Sequence, residues 1–157
     1  MRISRITFAA STFAVLALGL GAAAQQKAAT PAATKVTVYK TSSCGCCRLW
    51  VDHMKSNGFD VQAMDVSAAD VRSVSKAAGL KDEDTSCHTA KIGAYVVEGH
   101  VPADDIKRML KEKPAIAGLS APGMPQGSPG MEQGVKEPYD VIAFKKDGTS
   151  TVFAKHK

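Results

Sequence analysis

Between Pro31 and Pro102 the 157-residue chain contains no proline. No turn in that stretch can therefore rest on a cis-prolyl bond. Aromatic residues make up only 6% of the chain, and the formal net charge is a mild +5. The lysines are scattered, with no basic patch and no interleaved aromatics, which argues against a nucleic-acid partner. The longest apolar run, Ile6 to Gly21, is short and leads into QQKAATPAATK rather than a stop-transfer pattern, which makes a membrane anchor the weaker reading. No cysteine closely follows that run, which argues against a lipid-anchored form as well.

What is present starts with a leader. Arg2 and Arg5 precede the apolar run, and Ala22-Ala23-Ala24 supplies small residues for cleavage. Residues 1–24 are expected to be a signal peptide and the protein to be exported to the periplasm. Residues 25–34, rich in Ala, Gln and Thr, read as a flexible linker. Residues 35–157 are expected to form one metal-binding domain, large enough to bury its own core without structural disulfides.

Lys35 to Lys40 alternates polar and apolar residues and predicts a strand. From Cys46 to Asn57, Cys47, Trp50, Val51 and Met54 fall on one helical face, and Gly58 ends the helix. Phe59 to Asp65 predicts a second strand that puts Met64 in the core. Ser67 to Asp70 opens a second helix with a capping-box-like start. Gly93 to Val97 predicts a third strand, with a short extension at His100-Val101. Pro102 opens a third helix over Ile106, Met109 and Leu110. The Gly/Pro/Met-rich run Gly118 to Gly134 predicts irregular structure. Tyr139–Lys145 and Thr149–Ala154 predict an added hairpin. The order β-α-β-α-β-β-α defines an α/β, thioredoxin-like fold whose first strand-to-helix junction carries the cysteines.

Three of the four cysteines, Cys44, Cys46 and Cys47, lie within the stretch SSCGCCRLW. Cys44 and Cys47 have the spacing of a redox motif at a helix start, where unpaired N–H groups favour thiolate. Cys46 complicates dithiol chemistry, because a third thiol competes for mixed disulfides. Three thiolates suit a soft metal ion instead, with Cu(I) and Zn(II) the leading candidates. The fourth cysteine, Cys87, lies in the loop that in this fold packs against the helix start and normally carries a cis-proline. Adjacent side chains of a helix start diverge by roughly 100°. Cys46 and Cys47 therefore suit two bridged ions better than one tetrahedral zinc site, which favours copper. The expected metal ligands are Cys44, Cys46, Cys47 and Cys87. His88, Met124 and Met131 are candidates for a further ligand or a neighbour that supports one. His53 reads as a surface histidine of the helix, and His156 as part of a loose terminus. For His100, packing or capping weighs at least as much as a functional role.

The segments CGCC, SCHTA, EGHVP and PGMPQGSPGME together resemble the CopG-like copper-resistance family. The resemblance covers the chain from Val36 to the last strand. It implies an exported thioredoxin-like protein whose cysteines Cys44, Cys46, Cys47 and Cys87 bridge several Cu(I) ions in copper resistance or homeostasis. It also implies cycling of copper between oxidation states. Its partners would be copper ions and other periplasmic copper-handling proteins. Two alternatives stand beside this reading. One is a periplasmic thiol–disulfide oxidoreductase whose catalytic residues are Cys44 and Cys47; the other is a copper chaperone without redox activity.

Overall fold

The computed structural model describes residues 33–157. The expected signal peptide lies outside the described residues, as does the expected linker apart from Ala33 and Thr34. No helix among the described residues is long and apolar enough to cross a membrane.

Strand β1 (Lys35–Lys40) leads through helix α1 (Gly45–Ser56) to strand β2 (Asp60–Asp65). The two strands pair in parallel, Val36 opposite Val61 and Val38 opposite Ala63. Such a pair needs a crossover, and α1 supplies it. Helix α1 buries Cys47, Trp50, Val51 and Met54, the stripe expected from the periodicity. The Trp50 indole N–H donates to the Val101 carbonyl at 2.9 Å, fastening the helix to the segment just before Ala103. Helix α2 (Ala68–Ala77) starts where Ser67 Oγ accepts from the Asp70 N–H, the anticipated cap.

A single 3-10 turn (Asp82–Asp84) leads to strand β3 (His88–Ile92) and strand β4 (Tyr95–Gly99). Helix α3 (Ala103–Glu112) and strand β5 (Gly118–Ala121) follow, then the hairpin of β6 (Tyr139–Phe144) and β7 (Ser150–His156). All seven strands join one sheet in the order β2-β1-β3-β4-β5-β6-β7. Through α3 the element order is the expected β-α-β-α-β-β-α, and the fold is mixed α/β.

Two strands differ from expectation. The chain after Cys87 is strand β3, antiparallel to both β1 and β4. The strand expected at Gly93–Val97 is thus the fourth, and His100-Val101 is its exit rather than a strand. Gly118–Ala121, expected to be irregular, is β5, parallel to β4. Every residue of β5 is buried, so pairing on both sides overrides its weak local preference. The Cβ of any other residue at Gly118 would strike the Val96 backbone.

The main core joins Trp50, Val51 and Met54 of α1 to Ile106 and Met109 of α3 and the sheet residues between them. Met64 is not part of it. It is exposed, because β2 is the edge strand and most of its residues face solvent. His156 is ordered on β7: Nε2 lies 2.7 Å from Asp105 Oδ2, and the ring stacks on Tyr139. His53 is also not a bystander, since its Nε2 accepts from the Ala103 N–H at 3.2 Å and caps α3. Pro102 precedes that helix and has no side-chain oxygen to do so.

Candidate metal centre

Cys44 is the residue before α1, in extended backbone, and its sulfur accepts from the Cys47 N–H at 3.3 Å. The backbone then coils so that Cys47 points inward, fully buried, while Cys46 stays half-buried at the surface. Cys44 and Cys47 form a disulfide, and Cys46 and Cys87 are free thiols. Cys87 reaches this turn from across the sheet. Its Sγ lies 3.4 Å from that of Cys47 and 3.9 Å from that of Cys46, and the Cys44 and Cys46 sulfurs are 3.6 Å apart. All four sulfurs lie within 4.8 Å of one another. The divergence expected for Cys46 and Cys47 does not separate them, because both border the space that Cys87 enters.

Cys87 also belongs to a second group, with His88 and His100, whose ligand atoms likewise lie within 4.8 Å of one another. His88 Nδ1 is 3.4 Å from Cys87 Sγ, and His100 Nε2 is 3.1 Å away. Both rings are buried, edge to face with centroids 5.0 Å apart, and His88 packs against Trp50. His100 Nδ1 lies 2.8 Å from the Pro129 carbonyl, which can only accept. That contact assigns the proton to Nδ1 and leaves the Nε2 lone pair facing Cys87. His88 Nε2 is the one buried side-chain nitrogen or oxygen among the described residues without a partner.

Electrostatics keep these donors uncharged. Burial, reinforced by the neighbouring Cys46, pushes the Cys87 thiol up to about 12. Burial, with His100 second, brings His88 down to about 3. Burial also lowers His100. A neutral imidazole offers a lone pair, whereas a thiol at Cys87 must lose its proton before it can ligate.

The His88 shift carries a sign. Its folded value lies below the unfolded value near 6.5, so the unfolded chain binds the proton first as pH falls. The resulting stability is present above that unfolded value and is lost as pH drops towards 3. Between neutral pH and pH ~4.5 this group alone removes about 2.5 kcal/mol, while the buried Glu98, held up to about 7 by desolvation, takes up its proton in the folded state and works in the opposite direction. Urea unfolding of Glu98→Gln protein at the two pH values isolates the His88 contribution, and a flat profile in that variant would show that burial does not lower His88.

The long loop from residue 122 to 138 closes over the site. Gly130, at φ +86°, presses against α1, where an added Cβ would lie 2.8 Å from the Cys46 carbonyl oxygen and 2.9 Å from the Trp50 nitrogen. Met131 lines a cavity of about 450 Å³ together with Cys46, Arg48 and Leu49. Met124 is exposed and does not line that cavity. Sequence reasoning gives His100 too little weight, although the EGHVP segment holds the signal.

The soft sulfur set and the two buried imidazoles beside Cys87 together suit a thiophilic metal ion. Fold and site define a mixed α/β thiol protein with cysteine and histidine donors. Two solved structures, of copper resistance protein CopG in form 1 and form 2, are 38% and 39% identical to this chain. They cover 79% and 80% of it and 98% and 99% of their own lengths, each with a TM-score of 0.72. A family model described as a protein of unknown function, DUF411, matches residues 85–131, the span holding Cys87, His88, His100 and most of the loop. No curated protein matches the chain. The chain belongs to the CopG-like copper-resistance family.

Proposed function

We propose that this is an exported, periplasmic copper-binding protein that carries Cu(I) on Cys44, Cys46, Cys47 and Cys87 in copper resistance. The observation behind the reading is the meeting of four sulfurs from two chain segments within 4.8 Å. Copper is the cargo and would supply one-electron exchange between its two oxidation states. Reduction of the Cys44–Cys47 disulfide by an external dithiol, itself oxidised to a disulfide, delivers two electrons and two protons and yields two thiols. With Cys46 and Cys87 the donor set is then four sulfurs. Reoxidation withdraws two of them, so the redox state of Cys44 and Cys47 sets how much cargo the site holds. The buried ring of His88 and the oriented Nε2 of His100 supply nitrogen donors beside Cys87, and the loop carrying Met131 shields the site from oxidant.

Reduced protein reconstituted anaerobically with Cu(I) is expected to retain more than one ion per chain, with X-ray absorption showing sulfur ligation. Cys46→Ser should lower the number of ions bound, because this sulfur lies within reach of both Cys44 and Cys87. An unchanged copper count in that variant would rule out a bridging role.

The Cys44–Cys47 disulfide, with the Cys87 sulfur 3.4 Å from Cys47, favours thiol–disulfide exchange as a second reading. It requires metal-free protein to reduce insulin with added dithiol, and Cys44→Ser to abolish that activity.

A further inference from the structure

Glu98 is a carboxylate on β4 with 1% of its surface exposed, and it belongs to neither ligand group. Burying such a group requires partners for its oxygens. Oε1 accepts from the Ser86 backbone N–H at 2.8 Å, and Oε2 lies 2.6 Å from Thr89 Oγ1. These two partners flank Cys87 and His88 on either side. Thr89 and Glu98 are directly paired across β3 and β4, so one end of the clasp is fixed by strand register. The other end, Ser86, precedes the strand, where no ladder bond holds the chain. No peptide bond among the described residues is cis, so the turn is not fixed by a prolyl geometry.

We propose that Glu98 is a positioning residue that clasps the Ser86–Thr89 segment and thereby sets where the Cys87 sulfur meets the helix-start cysteines and where the His88 ring sits beside it. Neighbouring contacts agree with this role. Gly99 has no side chain, and a Cβ there would overlap Ser86. Ser86 Oγ donates to the Gly123 carbonyl on the other side. The segment is thus held from β4 and from the covering loop, and Glu98 is the one acidic side chain in the clasp.

The proposal rests on the copper reading for its consequence, but its first test does not. In oxidised, metal-free Cys46→Ser protein, Cys87 is the one free thiol of the chain's four cysteines. Its alkylation by iodoacetamide is expected to be roughly tenfold faster when Glu98→Leu is added, since the Ser86 backbone N–H loses its side-chain acceptor. Glu98→Gln keeps an acceptor for Ser86 and a donor for Thr89, so it should stay within about twofold of the parent. The faster rate should not depend on urea below the unfolding transition, which separates loss of the clasp from global destabilisation. Equal rates in all three proteins, or acceleration that tracks urea, would overturn the proposal.

The second measurement uses Glu98→Leu and Glu98→Gln in the otherwise native chain, reduced and loaded with Cu(I). Affinity against a competing chelator should fall about 10- to 100-fold in the leucine variant, the usual effect of losing a group that orients a ligand, and recover in the glutamine variant. Failure of the native chain to retain Cu(I) would end the copper reading and leave the alkylation result standing.

Discussion

Cys87→Ser is expected to lose most Cu(I) binding, with affinity down by about 100-fold or more, because groups that merely orient ligands are already worth 10- to 100-fold. Cys87 is the sulfur common to both ligand groups. Serine leaves Cys46 and Cys47 without a partner from the opposite strand, and leaves His88 and His100 without a sulfur between them. The pH dependence should change too. With its thiol at about 12, Cys87 is protonated in metal-free protein at neutral pH, so binding must expel that proton. Affinity in the native chain should therefore rise with pH, about tenfold per unit for each proton displaced. In Cys87→Ser the slope should fall by one proton. Chelator competition at several pH values measures both effects. Unaltered affinity and slope would show that Cys87 is a bystander.

Gly130→Ala is expected to undock the covering loop. At φ +86° any other residue is strained, and the new methyl would press on two backbone atoms of α1, neither of which can swing away. We expect a loss of about 2 kcal/mol, within the usual range for a strained backbone position. Gly45→Ala is the internal control, since a methyl there would meet nothing within 4 Å and its φ is not positive. Thermal unfolding should separate the two variants. Undocking also breaks the contact between Pro129 and His100, so the His100 ring resonances should shift in Gly130→Ala and stay in place in Gly45→Ala. Equal melting temperatures and an unshifted His100 would mean that the loop is not seated on α1.

Local chemistry makes parts of this molecule readable from the sequence. The stripe of α1, the Ser67 cap and the final hairpin follow from periodicity, capping and turn residues within a few positions of one another. The three clustered cysteines announce the site. Bringing Cys87 to them requires only the order of elements, because the fold places the end of β1's neighbour beside the helix start. Strand β3 is harder to see. Four of its five residues are buried, so it lacks the alternation that marks a half-exposed strand. Strand β5 escapes for the same reason, with glycine at its first position as well. His53 and Ala103 are 50 positions apart, and neither residue betrays the contact locally. His100 is buried through packing against His88 and Pro129, partners 12 and 29 positions away that no local pattern could supply.

The two halves of the sulfur set are mounted differently. Cys87 runs directly into β3, an interior strand hydrogen-bonded to β1 on one side and β4 on the other. Cys46 rides on the first turn of α1, half open to water. When bonds among these sulfurs are made or broken, the displacement must therefore fall on the Cys44–Cys46 turn. The sheet acts as a fixed jaw and the helix start as the moving one.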